Sequence, residues 1–493
     1  MFIGGLDIGT TGCKVSVYDE NGNFIFNSYQ EYSVERKKGA HEIHADTIFS
    51  AVCSVIADAA NKYEISAIGV TSFGESFVAL DESDNVLLPS MLYTDPRGED
   101  ECNELCTKIG EEKLTYITGV KPHSMYSLPK IMWIKNNLPD VYAKIRRILL
   151  MEDYIVYKLC GNAVIDYSLA ARTMALDIRN KCWCNEIFDA AGVDVSLMSQ
   201  LASAGNVAGD IKAELASELG ISNSIKIVNG SHDQVAATVG AGIFCPGEAM
   251  DGTGTVECVV PVFDHVPESD LLYQEGYSVV PYVFDNTYVC YALSFAGGAT
   301  LKWFRDNFAK HYANEKNPYA LLDSEVSTEP TGLLILPHFA GAANPYMDTG
   351  SRAAILGLTL ENTNADLYKA LMEGVTYENM VNLEHLESFG IKPTKIFATG
   401  GGATSDIWMQ IKADVLNRPV TSLVAKEVGS CGTCMLVGVG IGLYKNLEEA
   451  KQYFVKEKKT CYPDAKRAEI YHKYYNAYRK IFDAVRPIIE EIR

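Results

Sequence analysis

Asp233 lies in Asn229-Gly230-Ser231-His232-Asp233-Gln234, where the apolar stretch Ile225–Asn229 gives way to the helix-like stretch Gln234–Gly240. A carboxylate at such a junction stands beside backbone N–H groups able to receive an anion. It could take a proton from an alcohol as a phosphoryl group arrives, or it could simply cap its helix, because Asp is a favoured N-cap residue. Asp7 opens the turn Asp7-Ile8-Gly9-Thr10-Thr11-Gly12, and a second turn, Asp251-Gly252-Thr253-Gly254-Thr255, repeats the wording. A third, Gly400-Gly401-Gly402, follows Lys395–Thr399. Glycine lets N–H groups turn toward phosphate oxygens, and threonine hydroxyls add donors. A tight hairpin explains each turn alone; together, with acids at fixed places, they point to a phosphate site. None has Walker A spacing or the dinucleotide fingerprint. Asp7 could bond its own turn, or help orient Mg²⁺ near the β- and γ-phosphates. Phosphoryl transfer needs those parts: alignment, charge neutralisation and a base.

These residues must be held by recognisable elements. Phe2–Asp7, the alternating Cys13, Val15 and Val17, and Phe24–Val34 after Asn21-Gly22 predict three meandering strands. A helix beginning near Asp46 carries Ile48, Val52, Val55, Ile56 and Ala59 on one face, and Ile65–Thr71 reads as a buried strand. This order fits a mixed α/β domain better than a doubly wound nucleotide fold. The grammar returns at Glu248–Asp251 and Val256–Val262, so two similar domains are expected, 1–243 and 244–493, with Pro246-Gly247 breaking the pattern between them. Helices are expected over Leu301–Phe308, Ala365–Phe389 and around Ile407, Ile411 and Val415.

The balance of 43 Lys+Arg against 63 Asp+Glu, net −20, argues against a nucleic-acid or anionic-membrane partner. Any positive potential for an anionic ligand must come from local amides and a metal ion. Neither a signal peptide nor a membrane span is visible, and 13 scattered cysteines suit a reducing compartment, so the expected location is cytoplasmic. Cys431 and Cys434 read as small residues at the start of a Gly-rich helix, without a second pair at zinc spacing.

Met125–Asn137 looks like the first signature of the FGGY family of carbohydrate kinases, and Ala353–Leu358 followed by Asp366–Glu373 looks like its second. With Asp7–Lys14, Gly230–Gln234 and Gly400–Ala403 in register, the chain resembles that family over essentially its whole length. The resemblance implies an α/β fold of two actin-like, ribonuclease-H-like domains with a catalytic cleft between them, closing over ATP and a sugar or polyol. It implies that Asp233 is the general base and that Asp7 helps hold metal and phosphates, with Mg²⁺ at Asp7 and Asp233. Thr10, Thr11 and Lys14 would lie along the first phosphate loop, and Gly252, Thr253, Gly254 and Thr255 along the second. Lys14 reads otherwise as a solvated strand residue. Gly401, Gly402 and Ala403 would flank the adenosine with Asp406 nearby, and Gln234 would touch the sugar.

The substrate is less legible. Ser72-Phe73-Gly74-Glu75-Ser76 aligns with a sugar-contacting stretch of the family, where xylulose kinases tend to show Met-His and glycerol kinases Arg-Glu. Here the acid is kept at Glu75, and the basic or aromatic partner is missing at Gly74. A carboxylate accepts from vicinal hydroxyls, so Glu75 suits a polyol or ketose, unless it is an exposed loop acid. Asp95 in Tyr93-Thr94-Asp95-Pro96-Arg97 either reaches a hydroxyl or is tied up by Arg97. The expected activity is ATP-dependent phosphorylation of a sugar hydroxyl, foremost that of a ketopentose such as xylulose. The alternatives are glycerol, erythritol, ribulose, fuculose or gluconate kinases, or a non-catalytic actin-like protein that binds sugar and ATP. The partners are small molecules, and a homodimer is compatible with this reading.

Overall fold

Ile3, Leu6 and Ile8 are fully buried in β1 (Phe2–Ile8), as are Cys13, Val15 and Val17 in β2 (Gly12–Asp19). These apolar positions set the register of an antiparallel hairpin that continues into β3 (Phe24–Glu31). Gly22, at φ +71°, makes the turn between β2 and β3. Helix α1 (Ala45–Ala60) lays Ile48, Val52, Val55, Ile56 and Ala59 on this sheet, all at most 1% exposed. Burying a side chain of Val or Ile size contributes about 1.5–3 kcal/mol, so this one face anchors the helix. Next come β4 (Ile65–Ser72), β5 (Val207–Asp210) and β6 (Lys226–His232), giving the order β5-β6-β4-β1-β2-β3. β6, β4 and β1 are mutually parallel, and the outer pairs are antiparallel.

The computed structural model describes residues 1–268, 270–312, 315–424 and 427–492. Two units are resolved: Met1–Gly242 with Val279–Tyr288 and Glu427–Val455, and Ile243–Ser278 with Val289–Lys426 and Lys456–Arg493.

Helix α2 (Asp233–Gly240) leaves the end of β6. The β6–β4 ladder gains one residue between Asn229 and His232, which bends the strand just before Asp233. Gly230 sits in that bulge, where a Cβ would lie 2.5 Å from Thr71 Oγ1, so no larger residue fits.

The second unit repeats the plan. β7 (Glu248–Thr253), β8 (Glu257–Phe263) and β9 (Ala292–Ser294) form an antiparallel meander, and β7 then pairs in parallel with β10 (Lys395–Thr399). β11 (Val420–Leu423) adds in parallel to β10, and β12 (Glu457–Cys461) closes that side antiparallel. Around the sheet lie α3 (Gly298–Phe308), α4 (Asn364–Ser388) and α5 (Asp406–Leu416). α4 starts with a capping box between Thr363 and Asp366. Both units thus carry the meander-then-parallel sheet of a ribonuclease-H-like fold, as the repeated Asp-Gly-Thr wording predicts.

Helix α6 (Val428–Gly440) is the late element of the first unit. It crosses α2 at small residues: a Cβ on Gly432 would lie 2.6 Å from Gly240 N. Cys431 and Cys434 are buried in α6 as small packing residues, and all 13 cysteines are free thiols. Among the described residues, no helix is long and apolar enough to cross a membrane.

Candidate active site

Asp233 is the first residue of α2; His232 occupies the N-cap position and makes no side-chain cap bond, so Asp233 is not itself the cap. Its Oδ1 is enclosed and accepts no hydrogen bond among the described residues, with His232 Nε2 3.3 Å away. The side chain as a whole remains 39% exposed, which leaves the other oxygen reachable. Burial pushes its pKa up to about 6, against the lowering pull of the Gln234 N–H and the Arg172 charge. His232 is the opposite case, held down to about 3 by burial and by Arg172, and is therefore neutral.

Asp7, the last residue but one of β1, lies directly opposite Lys14 in the β1–β2 register, and Lys14 Nζ lies 4.0 Å from its Oδ2. Lys14 also ion-pairs with Glu427 and is only 19% exposed, so it is a held cation rather than a solvated strand residue. Burial raises Asp7 to about 6; Lys14 opposes this, while Asp233 and Glu427 add to it. The charges of Asp7 and Asp233 therefore act on one another. The first turn of α6 comes beside Asp7, where a Cβ on Gly429 would lie 3.6 Å from Asp7 Oδ2. Thr10, half-buried, and Thr11, exposed, occupy the β1–β2 turn, which Gly9 N closes onto Gly12 O at 2.9 Å. Gln234 is half-buried beside Asp233 on α2.

Asp7 and Asp233 are the carboxylates available to Mg²⁺. Among the described residues there is no cluster of three or more His, Cys, Asp or Glu side chains able to ligate a metal. Two carboxylates, one with an unpartnered enclosed oxygen, match an ion that keeps its waters and takes its remaining ligands from substrate phosphates. The residues fit that ion.

Glu75 sits in a three-residue turn between β4 and the strand Phe77–Leu80, closed by Ser76 N to Gly74 O at 2.8 Å. Its φ of +66° is the rarer, strained sense of such a turn. The basic partner that the sequence lacks at position 74 arrives from elsewhere: Arg172 Nε donates to Glu75 Oε1 at 2.6 Å, and its Nη2 pairs with the same oxygen. Both side chains are about 7% exposed.

Of the two readings open for Asp95, a contact to a substrate hydroxyl gives way to the pairing with Arg97: its side chain is fully enclosed and already takes four bonds. Arg97 N and Nε donate to Oδ1 at 3.0 and 2.8 Å, while Arg97 Nη2 and His41 N donate to Oδ2 at 2.6 and 2.7 Å. A carboxylate has about four lone-pair sites, so none remains for a sugar. The Met125–Asn137 signature clamps these turns, a role its sequence gives no hint of. Ser127 Oγ donates to Glu75 O at 2.6 Å, and Lys130 Nζ donates to Asp95 O at 3.0 Å.

In the second unit, Thr253 lies between two glycine turns. Lys412 Nζ donates to Thr253 Oγ1 at 2.7 Å and also bonds Asp251 and Glu257, all buried. Gly400, at φ +83°, would set a Cβ 2.5 Å from Thr253 O. Thr253, Gly254, Gly401 and Gly402, with Tyr319 and Trp408, line a cavity of about 390 Å³, a size that accommodates a nucleoside. Gly252 is half-buried and Thr255 exposed on the same turn. Ala403 lines a neighbouring hollow with Val424 and Lys458 instead. Asp406, expected beside the adenosine, pairs with Lys459 at 2.9 Å and Lys458 at 3.6 Å and is not among the cavity-lining residues.

The N-terminal domain of the FGGY family of carbohydrate kinases matches residues 2–240, and its C-terminal domain matches residues 270–441. The chain belongs to the FGGY family of carbohydrate kinases. It is accordingly a kinase that transfers a phosphoryl group from ATP to a sugar hydroxyl. The xylulose kinase of Lactococcus lactis is 28% identical over 98% of this chain and 96% of its own length. The gluconokinase of Bacillus subtilis is 28% identical over 89% of this chain and 86% of its own. Among solved structures, the ligand-bound xylulose kinase of Lactobacillus acidophilus superposes with a TM-score of 0.90 at 25% identity, covering 100% of both chains.

Proposed function

We propose that this FGGY kinase phosphorylates a ketopentose, xylulose first among them, with Asp233 as the base. The observation that carries the reading is the Asp233 carboxylate at the start of α2, with one enclosed oxygen unpartnered and a pKa raised to about 6. A base poised near the working pH can accept a proton and later release it. Xylulose is favoured because a full-length relative carries that name; gluconate is the second reading because a relative of equal identity is a gluconokinase.

In this mechanism Glu75 orients the sugar by accepting hydrogen bonds from its hydroxyls. Asp233 takes the proton of the reacting hydroxyl as its oxygen bonds the γ-phosphorus and the bond to the β-phosphate oxygen breaks. Thr10, Thr11 and Lys14 supply donors and charge to phosphate oxygens. The Gly252–Thr255 turn offers further donors, and the nucleoside occupies the cavity beside Gly401 and Gly402. Asp7 and Asp233 would hold Mg²⁺, which neutralises phosphate charge when bound. We assign sugar and base to residues 1–243 and the nucleoside to 244–493.

The test is Asp233→Asn assayed by xylulose-dependent ADP release. The expected loss in kcat is about 10²–10⁴-fold, with the KM for ATP changed by only a few-fold. Near-normal kcat in the Asn variant removes Asp233 from the role, and ADP release with gluconate but not xylulose moves the substrate to the second reading.

A further inference from the structure

Gly74 and Arg172 share one volume. A Cβ on Gly74 would lie 3.0 Å from Arg172 Cγ, 3.3 Å from Arg172 Cβ and 3.2 Å from His232 Cδ2. The space a side chain at 74 would fill is therefore occupied by an arginine from 98 positions later in the chain (172 − 74). Arg172 is delivered there by a compact segment. Asp166 caps the short helix Tyr167–Ala170, accepting from Ser168 N and Leu169 N, and Arg172 follows in a 3₁₀ turn that ends at Met174, φ +62°. The same segment holds the base turn, since His232 N donates to Ser168 Oγ at 3.0 Å. The guanidinium lies 5.1 Å from the Tyr126 ring centroid, a cation–π distance. Glu75, Arg172, His232 and Asp233 thus form one contiguous polar row.

We propose that Arg172 is the specificity-determining residue of the sugar site: it stands in for the side chain that Gly74 lacks, neutralises Glu75, and restricts the site to uncharged polyhydroxy substrates. This rests on the reading of Glu75 as a sugar contact.

A hydroxyl both donates and accepts, and the Glu75–Arg172 pair offers both partners with no net charge. A carboxylate only accepts, and so requires a cation or several donors. The cations nearby are committed: Arg172 to Glu75, Arg97 to Asp95 and Glu42, and Lys130 to the carbonyls of Asp95, Arg97 and Ser124. An aldonate would also meet the like charge of Asp233. The arrangement accepts a ketose or polyol and rejects a sugar acid.

The test compares kcat/KM for xylulose and gluconate in the wild type and in Glu75→Gln. The wild type should favour xylulose by at least about 1,000-fold, the scale on which buried polar groups left unpaired discriminate. Glu75→Gln, which releases Arg172 to bind a carboxylate, should lower that ratio at least about 100-fold while leaving the KM for ATP unchanged. A purely structural pair would depress both sugars equally, so an unchanged ratio in a folded variant overturns the proposal. A wild type that prefers gluconate overturns it whatever the variant does, yet leaves the kinase assignment standing. Should Glu75→Gln not fold, Arg172→Gln takes its place, with a xylulose KM raised at least about 30-fold expected and a KM within threefold overturning the proposal. No ADP release with any sugar would remove the catalytic reading beneath it.

Discussion

Replacing Lys412 with Met isolates the group that holds the Asp251–Thr255 turn. Lys412, Asp251 and Glu257 are each 0% exposed at the side chain, and one ammonium serves both carboxylates and Thr253 Oγ1. Glu257 also accepts from Asn379 Nδ2, and its Oε2 has no partner among the described residues. Removing the only cation of such a group strands buried charge, which costs about 3–5 kcal/mol. At about 2–4 °C per kcal/mol for a unit of roughly 200 residues, the second unit should melt about 6–20 °C lower. The deficit should depend on pH in a defined sense. Burial, then Asp251, raises Glu257 from its ordinary 4.5 to about 8, with Lys412 pulling the other way. Between those values the folded state holds a proton that the unfolded state lacks, so this group's contribution to stability falls as pH rises. Loss of Lys412 enlarges that imbalance. Lys412 itself, raised above 10.5, stays charged in both states below that value and adds no slope of its own between pH 5 and 9. Calorimetry of wild type and variant at pH 5, 7 and 9 should therefore show the gap widening toward pH 9. A gap under about 1 kcal/mol, or one that widens toward acid, refutes the reasoning. The displaced turn should also raise the KM for ATP more than it lowers kcat.

Three further perturbations follow from the same geometry. Asp7→Asn should lower kcat yet raise the melting temperature of the ligand-free protein at pH 8: an acid lifted to about 6 costs stability once the pH exceeds its ordinary value of 3.8. That gain should vanish at pH 3, and a variant less stable than wild type at pH 8 contradicts the sign. Gly402→Ala would set a Cβ 2.8 Å from Thr253 Cβ and 3.1 Å from Trp408 Cζ3, so titration calorimetry with ATP should show at least about tenfold weaker binding without loss of fold. Gly432→Ala drives the α2–α6 crossing apart at Gly240 N, 2.6 Å away, and should cost about 1–3 kcal/mol by denaturant titration, with kcat falling alongside because α2 begins at Asp233.

Local signals in the sequence were strong where chemistry and period coincide. The strand expected over Phe2–Asp7 is β1 to within one residue, and the apolar face of α1 buries the five residues its spacing selects. The Asp-Gly-Thr repeat located both hairpins, because a tight turn needs glycine whatever surrounds it. What stayed hidden depends on contacts with no sequence period. Glu75 looked partnerless because Arg172 is remote in the chain and meets it only through the turn after Tyr167–Ala170. Lys412 reads as one polar residue on a helix, and nothing local marks it as the centre of a buried triad. Asp95 misled for the converse reason: its saturating partners, Arg97 and the His41 N–H, combine a near neighbour with a distant backbone donor.

The return of α6 to the first unit has a consequence for synthesis. Residues 1–242 leave the ribosome with Gly5, Gly69 and Gly240 uncovered, the positions against which Ser430, Val437 and Val428 of α6 later pack. At 5–20 residues per second, the roughly 190 residues up to α6 take on the order of 10–40 s. The nascent first unit must wait that long with an open seam beside Asp7 and along the later turns of α2. Asp7 does not reach its final surroundings until most of the second unit has been made, so a chain that stalls before α6 carries Asp7 but not the helix turn that closes beside it.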